Sequence, residues 1–301
     1  MITIPRELAD AHAQYNGDAG RAWIAALPGL AERMLDRWGL RPAGPVRSGV
    51  VALVLPVTDA DGRRAALKLQ PADDETGGEP LALRAWNGNG AVRLLAHDPD
   101  SGSLLLEALD PDHSLDGIPD TLTALRPLTE LLGRLSATPP PPGLRHLRDM
   151  AHRMVARTPD ALPRLARDDE RRLLADCAAA TRELLTEPGE ALLHWDLHYQ
   201  NVLAPLPGTE RGEPWLAIDP KPLVGDVGFE LLPAIHNRFD PDETLRRFDL
   251  MTGILSLDRA RAKGWTLARV LQNCLWSLTD GDSALPPVQK SVAEALLTQL
   301  S

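Results

Sequence analysis

The chain has 301 residues, a formal net charge of −10 and an ordinary apolar fraction, which excludes global disorder and leaves room for one large domain or two lobes, each with its own core. The acidic balance and the lack of a basic stripe exclude a nucleic-acid binder. No apolar run reaches the roughly 18 residues a membrane span needs, and "MITIPRELADAH" has no basic start followed by an apolar stretch, so neither a membrane protein nor a signal peptide is expected.

Cys177 and Cys274 fit no metal or redox spacing and read as reduced core residues of a cytoplasmic protein. The negative charge suits a cationic small substrate, although solubility alone is the commoner reason for such a balance.

In chain order, residues 1–40 read as a helical extension, with Pro28 marking a break or a new first turn. "GVVALVLPV" (49–57) reads as a strand and "DADGRR" as a hairpin turn signalled by Asp61-Gly62. "AALKLQ" (65–70) is the returning strand. "GEPLALRAW" follows as a helix with Pro80 near its start, then "AVRLLAHD" and "GSLLLEAL" as two further strands.

Beyond about residue 115 the pattern becomes helical, with helices expected over 117–136, 144–157 and 170–187 and a stiff proline connector at 137–143. "NVLA" and "PWLAID" pair as a hairpin across 205–214, and helices resume from about 241. The expected organisation is therefore α+β: an extension over 1–40, a strand-rich unit over 41–110 and a helix-rich unit over 111–301.

The chemistry concentrates in "LLHWDLHYQN" (192–201). On a strand, His194, Asp196 and His198 would face one way and could ligate zinc or iron, giving a metal-dependent hydrolase. That reading lacks a fuller ligand set, since His236 is isolated in sequence.

The second reading is phosphoryl transfer. It needs a carboxylate to orient and deprotonate an attacking hydroxyl, an oxygen ligand further along the same loop for one Mg²⁺, and a second carboxylate for the bridging Mg²⁺. Asp196, Asn201 and Asp219 fill those roles in that order, and His194 then becomes a structural residue that holds the loop.

The strand-rich part supplies partners for a nucleotide. Lys68 lies mid-strand, where it can reach phosphates or simply face solvent from an edge strand, and Glu79 can pair with it or merely favour a helix start. Ser48 and Gly49 open a segment able to cover phosphates, with one glycine where protein kinases have three.

Those residues, with "AALKLQ", "LRAWNGNGAVRLLAHD", "LLLEALDPDHSL", "LLHWDLHYQNVLA", "WLAIDPKPLVGDVGFELLP" and "GWTLARVLQNCLWSLTDGD", make the chain resemble the aminoglycoside phosphotransferases, above all the streptomycin 6-phosphotransferases and their hydroxyurea-kinase relatives. The resemblance implies a two-lobed, protein-kinase-like fold with a strand-rich N-terminal lobe and a helical C-terminal lobe, and ATP in the cleft. It implies Asp196 as catalytic base, Asn201 and Asp219 on Mg²⁺, Lys68 on phosphates with Glu79 as partner, and backbone groups of Glu107 and Leu109 on adenine. It also implies that Asp226 braces the catalytic loop.

For a guanidinium-bearing acceptor, the expected contacts are Glu230, Asp240, Asp280 and Asp282, with Trp276 either stacking on the substrate or packing in the core. The resemblance implies a small cationic antibiotic as acceptor, streptomycin first, with hydroxyurea or an amino sugar as alternatives.

Overall fold

The computed structural model describes residues 2–298. The chain divides into two compact units. The first comprises residues 1–110 together with 204–214, and the second comprises 111–203 and 215–301.

The first unit contains α1 (Arg6–Arg37), β1 (Arg41–Pro42), β2 (Arg47–Ser48), β3 (Leu53–Thr58), β4 (Arg64–Leu69), α2 (Glu79–Trp86), β5 (Leu94–Asp98) and β6 (Ser103–Glu107). Its antiparallel sheet runs β1-β3-β4-β6-β5, with β2 also pairing β3. In β3 the alternation of inward Leu53, Leu55 and Val57 with outward neighbours is the period-2 signature of a half-buried strand. Those residues, with Leu67 and Leu69 of β4, form one core with Leu27, Leu30, Ala31, Met34 and Leu35 of α1. The helical extension thus shares the sheet's core. Fully burying one of these leucines contributes about 1.5–3 kcal/mol.

Three local expectations are corrected. The break in α1 falls at Gly17 (φ 55°, ψ −128°), a conformation open to a residue without Cβ, whereas Pro28 sits inside the helix. The chain folds back so closely that a Cβ on Gly20 would lie 2.1 Å from the His12 carbonyl oxygen. The strand expected from residue 49 begins at Leu53, because 49–52 turn β2 back onto β3 and the Gly49 amide donates to Ala52 O at 3.0 Å. And β4 lies between β3 and β6, so Lys68 is not on an edge strand.

β7 (Leu109–Ser114) leads into the second unit, which contains α3 (Thr121–Ser136), β8 (Arg145–His146), α4 (Leu147–Ala161), α5 (Asp168–Glu183), β9 (Ala191–Leu193), the first half of β10 (Val202–Pro205), β11 (Leu216–Ala217), β12 (Leu223–Gly225), α6 (Leu231–His236), α7 (Thr244–Ile254), α8 (Arg259–Thr279) and α9 (Pro287–Leu297). Asp120 and Asp258 cap α3 and α8 by accepting from the Thr123 and Arg261 amides at 2.7 and 2.8 Å. α8 is buried on nearly every side, with Trp265, Leu267, Val270, Leu271 and Leu275 in the core. Cys177 and Cys274 are buried free thiols, as expected of core residues. Two short pieces of sheet position the loop of interest: β12 pairs antiparallel to β9, and β10 pairs antiparallel to β11 through Val202↔Ala217 and Leu203↔Leu216.

Candidate active site

The loop at 194–201 leaves β9 at Leu193 and does not continue as a strand, since Trp195 takes a left-handed backbone (φ 68°). His194, Asp196 and His198 therefore do not share a strand face. His194 is fully buried; its Nε2 donates to Ile218 O at 3.0 Å and its Nδ1 accepts from the Asp196 amide at 3.3 Å, which fixes the neutral tautomer. Burial pushes its pKa down to about 4. With both ring nitrogens committed, His194 has no lone pair for a metal, and among the described residues no group of three or more His, Cys, Asp or Glu could hold one. The metal-cage reading of this stretch is corrected on that ground.

The expected structural role for His194 agrees with this geometry. One ring ties the loop to the strand end that delivers Asp219, and the Lys221 amide closes the connection by donating to His194 O at 3.0 Å. Asp219 itself sits at φ 57°, an uncommon conformation for a residue with a side chain. Asp196 and Asp219 both lie near enough to His194 and His198 to act on them electrostatically, so the loop gathers the two carboxylates. Asn201 Nδ2 donates to Asp196 O at 2.9 Å, which turns its Oδ1 away from that bond. One residue was missed by the sequence reading: Lys221 Nζ donates to Asp196 Oδ2 at 2.8 Å. Its signal was the "DPKP" run that follows the strand, where spacing alone names no partner.

Beneath the loop lies Glu230, 1% exposed, with Oε1 accepting from the Trp195 amide. Burial pushes its carboxyl up to about 7, against the pull of the Trp195 and His194 amides and of Arg269. A buried carboxylate bonded to loop backbone is not available to an acceptor, so its expected substrate contact is corrected to a bracing role. Asp226 reaches the loop through this neighbour: its carboxylate caps the short turn at 227–230, which carries Glu230, by accepting from Gly228 N at 2.8 Å, and it pairs with Arg261 Nε at 2.6 Å.

A second tie comes from Arg238, whose guanidinium lies 4.8 Å from the Tyr199 ring centroid and donates to Asp116 Oδ1 at 2.9 Å. Gln200 Nε2 donates to the same carboxylate at 3.3 Å.

Trp276, 38% exposed, stands 6.1 Å from Trp195 centroid to centroid. The chain's own cations already lie over these rings: Arg145 and Arg269 at 4.7 and 4.9 Å from Trp195, and Arg269 at 5.5 Å from Trp276. Asp280 and Asp282 follow at the end of α8, where the Asp280 amide closes the helix onto Trp276 O and Asp282 accepts from the Ser277 hydroxyl. Asp240 caps the short turn at 241–243. The Asp240 and Asp282 carboxylates serve local turns, and all three residues are exposed.

In the first unit, Lys68 Nζ donates to Glu79 Oε1 and Oε2 at 2.8 and 2.7 Å, with side chains 5% and 1% exposed. Gln70 Nε2, a further residue the sequence reading missed, donates to Glu79 Oε2 at 2.6 Å. Breaking a buried pair of this kind from one side costs about 3–5 kcal/mol.

Ser48 ends β2 and Gly49 begins the 49–52 turn, with open space where a Cβ would stand. His12 Nε2 donates to Val51 O in that turn at 2.9 Å while its ring stacks on Trp23 at 4.5 Å. The Glu107 amide donates to Arg93 O at 3.0 Å, and its carboxylate is held by the Arg93 amide and by Arg211. Arg211 also donates to Gly88 O at 2.6 Å and Ala91 O at 3.0 Å. Leu109, half-buried, begins β7.

The first unit thus holds a buried lysine–glutamate pair, and the second holds Asp196, Asn201 and Asp219 on one loop and the strand end tied to it. Comparison with known proteins gives the class, a phosphotransferase. The family profile described as aminoglycoside/hydroxyurea antibiotic resistance kinase matches residues 37–281. The chain is 54% identical over 299 residues to the hydroxyurea phosphotransferase of Kitasatospora aureofaciens, covering 99% of this chain and 86% of that one. It is 51% identical to the streptomycin 6-kinase of Streptomyces griseus, covering 98% and 97%. Among solved structures, a thermostable mutant of aminoglycoside phosphotransferase APH(4)-Ia in ternary complex with ADP and hygromycin B superposes with a TM-score of 0.62 at 14% identity, covering 90% of this chain and 98% of that one. The chain belongs to the aminoglycoside/hydroxyurea antibiotic resistance kinase family and has its protein-kinase-like fold.

Proposed function

We propose that the protein transfers the γ-phosphoryl group of ATP to the 6-hydroxyl of streptomycin, in the cytoplasm, and thereby confers resistance. The observation that carries the reading is the catalytic loop: Asp196 is held at a defined place by bonds through His194, Asn201 and Lys221, beside the strand end that delivers Asp219.

In this reading Asp196 orients the acceptor hydroxyl and takes its proton. Asn201 and Asp219 offer oxygen donors to Mg²⁺. The Asn201 Nδ2 bond to Asp196 O leaves Oδ1 as its free donor, and an all-oxygen set suits a hard cation. Bound there, Mg²⁺ would neutralise phosphate charge. Lys68, with Glu79 and Gln70 fixing its ammonium, contacts nucleotide phosphates, Ser48 at the end of β2 and Gly49 in the turn after it cover them, and Leu109 with the Glu107 carbonyl meets adenine. The Glu107 amide is already given to Arg93 O, so only its carbonyl remains for that role.

The near-full-length identity to a streptomycin kinase and the −10 net charge support streptomycin. A second reading, hydroxyurea, is favoured by one observation: the faces of Trp195 and Trp276 carry the chain's own guanidinium groups, which repel a guanidinium ligand. Asp240, Asp280, Asp282 and the open side of Trp276 then remain as acceptor contacts in the streptomycin reading.

The test is incubation with γ-labelled ATP, Mg²⁺ and a panel of streptomycin, hydroxyurea and an amino sugar. Label on streptomycin is the expected result. Label on hydroxyurea alone selects the second reading, and no label on any hydroxylated acceptor overturns both.

A further inference from the structure

We propose that Lys221 belongs to the phosphoryl-transfer machinery: its ammonium holds one oxygen of Asp196 before substrates arrive and lies against the transferring phosphoryl group during the reaction. The proposal rests on Asp196 acting as the base.

The backbone that presents Lys221 is unusually constrained. Pro220 and Pro222 flank it, which fixes φ on both sides and confines Lys221 itself to extended conformations. Its amide is tied to His194 O at 3.0 Å, and Asp219 lies two residues back on the same rigid run. One strand end therefore delivers both the carboxylate assigned to Mg²⁺ and a cation to the loop.

The Lys221 and Asp196 side chains are 31% and 25% exposed. An ion pair that open adds little stability, so folding energy does not explain so fixed a geometry. The openness also leaves both groups accessible to a ligand.

An accessible cation held beside the reacting hydroxyl is placed to meet the negative charge of the phosphoryl group as the reaction proceeds. Asp196 Oδ2 is taken by Lys221, which leaves Oδ1 for the acceptor hydroxyl. A hydroxyl bonded to Oδ1 lies about 3 Å from it, and the phosphorus under attack about 3–3.5 Å beyond. A flexible lysine stem bridges that interval by rotating about its terminal bonds.

The step balances as follows. The acceptor oxygen forms a bond to the γ-phosphorus while its proton passes to Asp196 Oδ1. The bond from the γ-phosphorus to the β–γ bridging oxygen breaks, and its electron pair leaves with ADP. Lys221 keeps its protons throughout and contributes only charge to the equatorial phosphoryl oxygens, where such transfers place their charge.

The experiment measures kcat and KM for the accepted substrate of the panel and for ATP in Lys221→Met, Lys221→Arg and Asp196→Asn, alongside MgADP affinity by calorimetry and urea unfolding. The expected result is a fall in kcat of about 10²–10³ for Lys221→Met, the scale of losing one preorganised donor to a transition state. KM values, MgADP affinity and stability should stay within about threefold or its equivalent in free energy, and Lys221→Arg should restore at least tenfold of the lost turnover. A Lys221→Met enzyme with kcat within threefold of wild type would overturn the proposal. So would a loss matched by an equal loss of stability that Lys221→Arg does not reverse, since that is the mark of a loop brace. If Asp196→Asn keeps wild-type turnover, the base assignment fails and the proposal falls with it, whereas a slow Asp196→Asn beside a wild-type-like Lys221→Met overturns the proposal alone.

Discussion

Glu230 is a carboxyl group in the interior, and its charge state links the loop to pH. Burial raises it from 4.5 to about 7, so between those values the folded state binds the proton more tightly than the unfolded chain. Its contribution is thus largest at low pH and is lost as pH rises through 7, by about 3 kcal/mol at about 1.4 kcal/mol per unit. His194 works the other way. Its pKa falls to about 4, so its contribution is full above 6.5 and is lost as pH drops toward 4. The two offset one another between about 4.5 and 6.5. Replacing Glu230 with Gln removes one arm, and the variant should gain stability relative to wild type as pH rises from 5 to 7, read from urea midpoints at each pH. A constant difference across that interval would show that Glu230 titrates as an ordinary carboxylate. The sequence names Glu230 but not this role, because a glutamate in "VGFELLP" reads equally as a surface acid until the fold carries it beneath Trp195. Lys68 and Glu79 were legible by contrast, since a lysine inside an apolar strand and an acid at the next helix start have few other partners.

At the scale of elements, the 49–52 turn depends on α1. His12 reaches it from a helix 39 residues away in sequence, and the fold at Gly17 with the close approach at Gly20 is what brings that ring to Val51 O. Replacing His12 with Ala removes one hydrogen bond of about 0.5–1.5 kcal/mol and a ring stack. The KM for ATP should rise several-fold while kcat moves less than twofold, if the turn covers phosphates as proposed. Equal changes in both constants would point to a role in the chemical step instead. Gly20→Ala should act more broadly, because the added Cβ meets backbone at 2.1 Å, and a lowered melting temperature checks it. None of this was readable locally. The pattern of α1 was helical throughout, and the sequence offered Pro28 as the irregular point where the structure has Gly17. Strand and hairpin pairings were read correctly because alternation and the Asp61-Gly62 turn act over a few residues. Arg211, in a segment rich in glycine and proline, gave no sign that it would hold Glu107 more than 100 residues away.

At the scale of the whole molecule, the resemblance was legible because its motifs run through nearly the full chain, and the match over residues 37–281 reflects that. The acceptor was not, since it depends on how side chains from several helices converge, and Glu230 shows how residue type misleads there. The net charge of −10 still carries a consequence. If streptomycin is the acceptor, partly exposed ion pairs are screened over roughly 8–10 Å near physiological ionic strength, so its KM should rise with added salt while that of hydroxyurea stays level. A salt-independent KM for streptomycin would argue against carboxylate recognition. The central claim is that Asp196 drives phosphoryl transfer from ATP. Its most direct test is single-turnover transfer of labelled phosphate by wild type and Asp196→Asn, with nucleotide binding measured on the same samples. The account predicts a loss of at least two orders of magnitude in the transfer rate with MgADP affinity nearly unchanged. Transfer by Asp196→Asn at the wild-type rate would contradict it.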